Sequence, residues 1–307
     1  MNTSYVKSLA LLALCGGVVA MEAEAALYST GSCNVNDVQI TSIVNQGDTN
    51  DPKTNLLTSD QSASACLGAY TGNDSVNTDD NLGYDDDGFL NDKTLFPDYG
   101  AFLEQDDLQD LQTTGQFVDP GWIFVTKIDF ESAGDQVTYG TVGEGDDSFS
   151  FGDYISSNGL DDILSLQCGN AVSCAEATSG TWTYTPPKTN PEGLLEILGA
   201  DKFFDQAAVI FKSSNQYAIY NFKLSDLGVP PVIGTEDPNF MFSGTWDMSS
   251  TLINNGGNPA SLSHVTLWLR DPTLTTVNEV PAPATLALMG LGLLGLGASV
   301  RRRKQLT

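Results

Sequence analysis

Short runs of alternating hydrophobic and polar residues fill the second half of the chain. The runs are separated by Gly, Pro, Asn and Asp, which favour turns. A period of two puts the apolar side chains of a strand on one face. Eight runs therefore predict strands, at 122–130, 136–142, 147–155, 180–185, 207–212, 216–224, 240–246 and 262–270. The short polar segment 213–215 between two of the runs predicts a hairpin. Together the runs predict an all-β fold, a jelly-roll-like β-sandwich over residues 116–279.

The residues before position 116 alternate much less regularly. From 26 to 115 the chain is polar and broken by Asn, Asp, Gly and Thr, with only short apolar pieces. This texture predicts a loop-rich N-terminal portion of the body. The body from 26 to 279, about 254 residues, is long enough for one large domain, or for one domain with a small cap.

Two of the predicted strands carry specific expectations about their faces. The run 122–130 places four large residues on one face: Trp122, Phe124, Ile128 and Phe130. The run 262–270 contains the single histidine, His264, opposite three residues expected in the core: Val265, Leu267 and Leu269. A Ser-His-Asp triad would need His264 as its base, and the sequence does not show that Ser261 or Ser263 reaches it. We expect a hydrogen-bonded or solvated strand histidine, and no catalytic residue is assigned.

Both ends of the chain carry apolar segments. Lys7, an apolar stretch at 9–20 and a small-x-small site at 23–25 predict a signal peptide over 1–25. At the other end, residues 284–300 are uncharged and mostly apolar, the short limit for a transmembrane helix. Four basic residues follow, and such residues stay on the cytoplasmic side: Arg301, Arg302, Arg303 and Lys304. The body is therefore predicted to be exported and tethered to the inner membrane.

A short motif precedes the helix: Val280, Pro281, Ala282 and Pro283. With the helix and the basic end it resembles the PEP-CTERM sorting signal of Gram-negative bacteria, over residues 280–307. The family usually has Glu where this chain has Ala282. The resemblance implies an exosortase as partner and delivery to the cell surface or the extracellular matrix of a biofilm. A plain tail anchor that nothing cleaves is the alternative.

Four cysteines lie outside the predicted signal: Cys33, Cys66, Cys168 and Cys174. An even number in an exported chain predicts two disulfides, for which three pairings exist. Pairing the neighbours in sequence has the lowest loop-closure cost, which favours the first with the second and the third with the fourth. A metal-thiolate site is the alternative, but the paired CxxC spacing that would indicate it is missing.

The body is strongly acidic. The chain has 13 Lys+Arg and 39 Asp+Glu; without Lys7 and the tail cations 8 basic residues remain, and without Glu22 and Glu24 37 acidic ones, a net charge of −29. Such a surface repels phosphate backbones, so nucleic acid is excluded as a partner. A hydrated polysaccharide layer and divalent cations remain compatible with it.

Clustered acids give the best sequence-based indication of a ligand. Carboxylates in loops supply the oxygen ligands that Ca²⁺ prefers. The residues concerned are Asp85, Asp87, Asp146 and Asp147. Solvated acidic loops are the simpler interpretation, so no cofactor is assigned and Ca²⁺ is kept as the alternative.

These observations predict a non-enzymatic structural or adhesive protein of the cell surface or extracellular matrix, sorted by an exosortase. A lectin-like carbohydrate-binding module is one alternative. It would use exposed tryptophans for sugar stacking, although at strand spacing they are expected in the core: Trp122, Trp182, Trp246 and Trp268. A secreted glycoside hydrolase is the other, because two suitably spaced carboxylates are all that this chemistry requires.

Overall fold

A computed structural model describes most of the body. The described residues are 32–45, 54–74, 88–92, 95–96, 100–103, 121–131, 134–142, 149–159, 162–169, 171, 173–185, 206–227 and 240–270. The predicted signal peptide and the sorting tail lie outside them.

Thirteen strands fall within the described residues. In chain order they are β1 (Val38–Asn45), β2 (Gln61–Ser62), β3 (Ala65–Thr71), β4 (Trp122–Asp129), β5 (Gln136–Tyr139), β6 (Thr141–Val142), β7 (Phe149–Ser150), β8 (Leu164–Gln167), β9 (Ser179–Tyr184), β10 (Gln206–Ser213), β11 (Gln216–Lys223), β12 (Phe240–Asp247) and β13 (His264–Arg270). One α-helix, α1 (Phe151–Asn158), and the 3-10 turns Val35–Asp37, Phe89–Asn91 and Cys174–Glu176 accompany them.

The strands form two antiparallel sheets with little helix, which confirms the predicted all-β sandwich. The five-stranded sheet has the order β2-β1-β12-β9-β8, and the six-stranded sheet has the order β3-β11-β10-β13-β4-β5. A small hairpin pairs β6 with β7. Seven of the eight predicted runs coincide with strands, apart from one or two residues each. The jelly-roll topology stays a prediction.

Residues from the predicted loop-rich portion supply strands to both sheets. Strand β1 pairs with β12 along its whole length, from Val38 opposite Trp246 to Asn45 opposite Phe240. Strand β3 pairs with β11 and forms one edge of the six-stranded sheet. The two sheets therefore each combine residues from before and after position 116.

The main core lies between the two sheets. Apolar side chains from the inner faces of both sheets form one cluster, which includes Ile40, Val125, Phe211, Trp246 and Leu267. All five are almost completely buried. Burial of apolar surface is the dominant favourable term in folding, so this cluster holds the sheets together.

A second apolar cluster lies on the other face of the six-stranded sheet. Residues of the segment 88–103 pack over Trp122, Phe124 and Trp268, and this segment is called the outer layer below. Because the sheet is covered on both sides, all seven residues of β13 are buried. The expectation that one face of this strand points away from the core is therefore wrong, since the outer layer provides a core of its own.

Glycine allows the outer layer to approach the sheet. Gly88 has φ 79°, and a Cβ atom there would lie 2.8 Å from the Trp268 ring. Gly100 has φ 111°, and its Cβ would lie 2.8 Å from the Leu90 carbonyl oxygen. Both positions combine a backbone conformation that other residues rarely adopt with a contact that leaves no room for a side chain.

A bulge in β4 overturns the predicted face of that strand. Leu267 lies opposite Thr126 and Trp268 opposite Phe124, which leaves Val125 as an extra residue. An extra residue reverses the alternation beyond it. Trp122 and Phe124 consequently contact the outer layer, whereas Ile128 and Phe130 belong to the main core.

The run 147–155, predicted as a strand, is mainly helical. Strand β7 covers only two residues, and α1 follows directly. The Ser150 hydroxyl accepts a hydrogen bond from the Asp153 amide as an N-cap, and Gly159 ends the helix in the left-handed conformation. These two caps stabilise a helix at 151–158, although the alternating pattern predicted a strand there.

The hairpin between β10 and β11 confirms another prediction. All eight residues of β10 pair with β11, from Gln206 opposite Lys223 to Ser213 opposite Gln216. Ser214 and Asn215 form the connection, and Ser214 has φ 51°. The predicted turn residues therefore connect two neighbouring interior strands of the six-stranded sheet.

Candidate functional site

One end of the outer face of the six-stranded sheet carries a cluster of charged side chains. His264 lies opposite Asp129 on β4 and opposite Lys212 on β10. Its Nε2 atom is 2.7 Å from Asp74 Oδ1, and its Nδ1 atom is 3.6 Å from Asp129 Oδ1. Lys127 Nζ lies 2.8 Å from the same Asp129 oxygen. The sheet register thus gathers two carboxylates, two amines and the imidazole.

The histidine is hydrogen-bonded and buried. Its side chain is 8% exposed, and that of Asp74 is fully buried. The Ser263 hydroxyl donates to the Lys212 carbonyl, and the Ser213 hydroxyl donates to the Ser261 carbonyl. Both ring nitrogens of His264 face carboxylates, so neither serine considered from the sequence forms a triad with it. The expectation of a hydrogen-bonded strand histidine is confirmed.

Burial changes the electrostatics of the neighbouring lysine. Loss of hydration lowers the pKa of Lys212, Asp74 opposes this effect and Lys127 adds to it. The Lys212 ammonium donates to the carbonyl oxygen of Ser214. Asp74 Oδ2 is buried with no hydrogen-bond partner among the described residues. The cluster therefore places charged groups of both signs around a buried imidazole.

No group of three or more metal-ligating side chains occurs among the described residues. The four aspartates proposed from the sequence as Ca²⁺ ligands all lie outside that part of the chain: Asp85, Asp87, Asp146 and Asp147. Calcium binding stays a prediction.

The four tryptophans are buried. Trp122, Trp182, Trp246 and Trp268 are all less than 9% exposed. The indole N–H of Trp122 donates to the Ala101 carbonyl at 2.6 Å, and that of Trp182 donates to the Gln39 carbonyl at 3.2 Å. The alternative in which these tryptophans form an exposed sugar-stacking surface is therefore wrong. The expectation that they belong to the core is confirmed.

An open groove runs between strand β3 and the outer layer. It has a volume of about 620 Å³, within the range of ligand sites. Its aromatic wall includes Tyr70 and Phe102, both partly exposed, and its polar wall includes Asn221, Lys223 and Asp226. No sequence pattern indicates this groove, because its walls come from segments far apart in sequence. Tyr70 lies on a strand edge that no local pattern identifies.

The disulfides form in the favoured pairing. Cys33 bonds to Cys66, and Cys168 bonds to Cys174. The Cys33–Cys66 disulfide links the segment before β1 to β3. The Cys168–Cys174 disulfide closes a short loop, because its cysteines are six positions apart. The thiols are thus unavailable as metal ligands, which excludes the alternative considered from the sequence.

The predicted sorting elements lie outside the described residues: the motif 280–283, the apolar segment 284–300 and the basic residues 301–304. No described helix has the length and apolar character needed to cross a membrane.

Comparison with known proteins identifies these C-terminal residues. Residues 279–303 match the family model of the PEP-CTERM protein-sorting motif. No curated protein and no solved structure matches the chain. The matched motif implies export, a C-terminal membrane-associated sorting signal and processing by an exosortase. The C-terminal residues 279–303 therefore carry a PEP-CTERM protein-sorting motif.

Proposed function

We propose that the protein is a structural or adhesive component of the cell surface or extracellular matrix. The sorting motif at 279–303 is the single observation that carries this proposal, because it supports export of the body and its handling by a sorting enzyme. The tail holds the body at the inner membrane until exosortase acts near Pro281. The body then takes its place in the matrix.

The body has properties suited to that location. Two disulfides bridge it, and disulfides persist in oxidising compartments outside the cytoplasm. A formal net charge of −26 for the whole chain favours solubility and repels anionic surfaces. Two apolar cores on the two faces of one sheet support a body that persists outside the cell. The role we propose is display of this body, without catalysis.

Alanine substitution of the motif tests this function. The double variant Pro281→Ala and Pro283→Ala removes the extended segment that the sorting enzyme would grip. We expect the variant to accumulate uncleaved in the inner membrane, whereas the natural protein reaches the surface fraction. The matched control Pro272→Ala changes a proline upstream of the motif and should sort normally. Equal surface delivery of all three proteins would contradict the proposal.

A carbohydrate-binding module is the second candidate function. The groove beside β3 is the observation that favours it, because it combines aromatic and hydrogen-bonding side chains at a suitable volume. Polysaccharide is also the partner that a matrix protein would meet. A secreted hydrolase has no comparable support among the described residues.

A further inference from the structure

We propose that the groove beside β3 binds an uncharged polysaccharide chain, with the side-chain amide of Asn221 as its oriented hydrogen-bond donor. The proposal rests on the proposed function for the source of the ligand, since a matrix protein meets polysaccharide. The groove and its donor come from the geometry alone.

A buried hydrogen-bond relay determines which end of the Asn221 amide is available. Arg270 has only donors, and its Nη1 donates to Gln206 Oε1 at 3.1 Å. Gln206 must therefore direct its Nε2 the other way, and this atom donates to Asn221 Oδ1 at 2.9 Å. Because Oδ1 is engaged, Asn221 Nδ2 is the group left for the groove.

The Asn221 side chain combines burial with a place in the lining of the groove. Asn221 is 2% exposed and lines the groove. Its Oδ1 accepts from Gln206 Nε2, so Nδ2 is the end of the amide that this hydrogen bond leaves for a ligand. A ligand hydroxyl in the groove would supply the acceptor. The relay fixes the amide in advance, so binding would cost little ordering entropy.

The remaining lining suits a sugar chain. Tyr70 and Leu67 on β3 and Phe102 on the outer layer give partly exposed apolar faces, on which the C–H faces of sugar rings stack. The lining along β3 extends from Ala65 to Tyr70, about 17 Å at the rise of a strand. The groove is thus long enough for several linked sugar units.

Charge selects among polysaccharides. Lys223 and Asp226 give the groove one charge of each sign. The chain as a whole has a formal net charge of −26, which repels anionic polymers. An uncharged polysaccharide meets no such repulsion, and both charged side chains can hydrogen-bond its hydroxyls.

Binding of defined polysaccharides to the full-length protein in detergent tests the proposal. The probes are neutral galactomannan, neutral dextran and anionic alginate, immobilised for surface binding measurements. We expect saturable binding to at least one neutral polymer and none to alginate. Absence of neutral binding, or binding to alginate alone, would overturn the proposal. Sorting of the natural protein is measured separately, so a failure of the proposed function is distinguishable from a failure of this site.

Variants locate the binding in the groove. Tyr70→Ala and Phe102→Ala should each weaken binding about tenfold through lost stacking. Tyr70→Phe keeps the ring and should bind within about twofold of the natural protein. The matched control Tyr154→Ala removes a partly exposed aromatic on α1, away from the groove, and should bind normally. Equal loss in the Tyr154 variant would show that binding lies elsewhere and overturn the proposal.

Gln206→Glu tests the relay itself. Glutamate still accepts from Arg270 but has no N–H to donate, so the Asn221 amide would turn its Nδ2 toward position 206. We expect binding to fall about tenfold while the thermal midpoint stays within a few degrees. Unchanged binding by a folded Gln206→Glu protein would overturn the role of the Asn221 donor.

Discussion

Asn91 forms hydrogen bonds with both backbone groups of Trp122. Its Nδ2 donates to the Trp122 carbonyl oxygen at 2.7 Å, and its Oδ1 accepts from the Trp122 amide at 2.8 Å. A side-chain amide thereby forms the two backbone hydrogen bonds that a neighbouring strand would otherwise form with the first residue of β4. The Trp122 indole in turn donates to the Ala101 carbonyl, so the outer layer is attached to the sheet at two points.

Replacing Asn91 with alanine should therefore destabilise the protein. The Trp122 amide and carbonyl would be left buried without partners, at a cost of about 2–4 kcal/mol. The measurement is the free energy of unfolding in denaturant. Asn73→Ala, at an exposed position, is the control and should change it by less than about 0.5 kcal/mol. Equal effects of the two substitutions would contradict the proposed attachment.

The pair of His264 and Asp74 should be strongly coupled. His264→Ala leaves a fully buried carboxylate without its 2.7 Å partner, and breaking such a pair costs about 3–5 kcal/mol. Lys127→Ala breaks a partly exposed ion pair with Asp129 and should cost less than about 1 kcal/mol. Denaturant unfolding of both variants checks the contrast. A His264 variant as stable as the Lys127 variant would refute it.

Alkaline pH should destabilise the fold. Burial raises the pKa of five tyrosines: Tyr70, Tyr139, Tyr184, Tyr217 and Tyr220. Above their ordinary pKa of about 10 the unfolded chain loses these protons while the folded chain keeps them, so the stability present below that pH is lost as pH rises. The lowered pKa of Lys212 acts in the opposite direction, but this is one lysine against five tyrosines.

Tyr184→Phe isolates one contribution to this alkaline effect. Burial alone raises the pKa of Tyr184, so the phenylalanine variant should lose less stability between about pH 9 and about pH 11. Unfolding free energies at a series of pH values measure the slope. An identical slope for the variant and the natural protein would be inconsistent with a buried tyrosine that stays protonated.

The two disulfides should differ in their effect on stability. Their cysteines are separated by 33 and by 6 residues. In the loop-entropy model the longer loop contributes about 3.7 kcal/mol and the shorter about 2.2 kcal/mol. Replacing Cys33 and Cys66 by alanine should therefore cost about 1.5 kcal/mol more than replacing Cys168 and Cys174. The reverse order in denaturant unfolding would rule out chain entropy as the main cause.

Local signals in the sequence predict much of this fold. Alternation identifies the strands around Trp182 and Trp246, and the polar turn at Ser214 identifies the hairpin of β10 and β11. The low cost of closing short loops favours the disulfide pairing that forms. Each of these features depends on residues close together in the chain or on a pattern within one strand.

The features that the sequence did not predict depend on contacts between distant segments. The outer layer buries the second face of β13. The pattern of residues 262–270 alone does not predict that a second layer packs there. The bulge at Val125 depends on the register with β13 and reverses the faces of β4. The groove needs β3, the outer layer and the end of β11 together. Its donor, Asn221, depends on a relay that starts at Arg270.

The basic end of the tail provides a separate test of membrane retention. Replacing Arg301, Arg302, Arg303 and Lys304 with neutral residues removes the charges that keep this end in the cytoplasm. We expect less protein in the inner-membrane fraction and slower appearance of the processed form. Unaltered fractionation would count against the predicted orientation of the tail.

The C-terminal residue of the protein recovered from the cell surface tests the central claim most directly. Mass spectrometry of terminal peptides from surface and inner-membrane fractions would identify it. We predict that the surface form ends near Pro281 and lacks residues 284–307, while the inner-membrane form retains them. A surface form that still carries the intact tail to Thr307, or a native protein found in the cytosol with reduced thiols, would contradict the account.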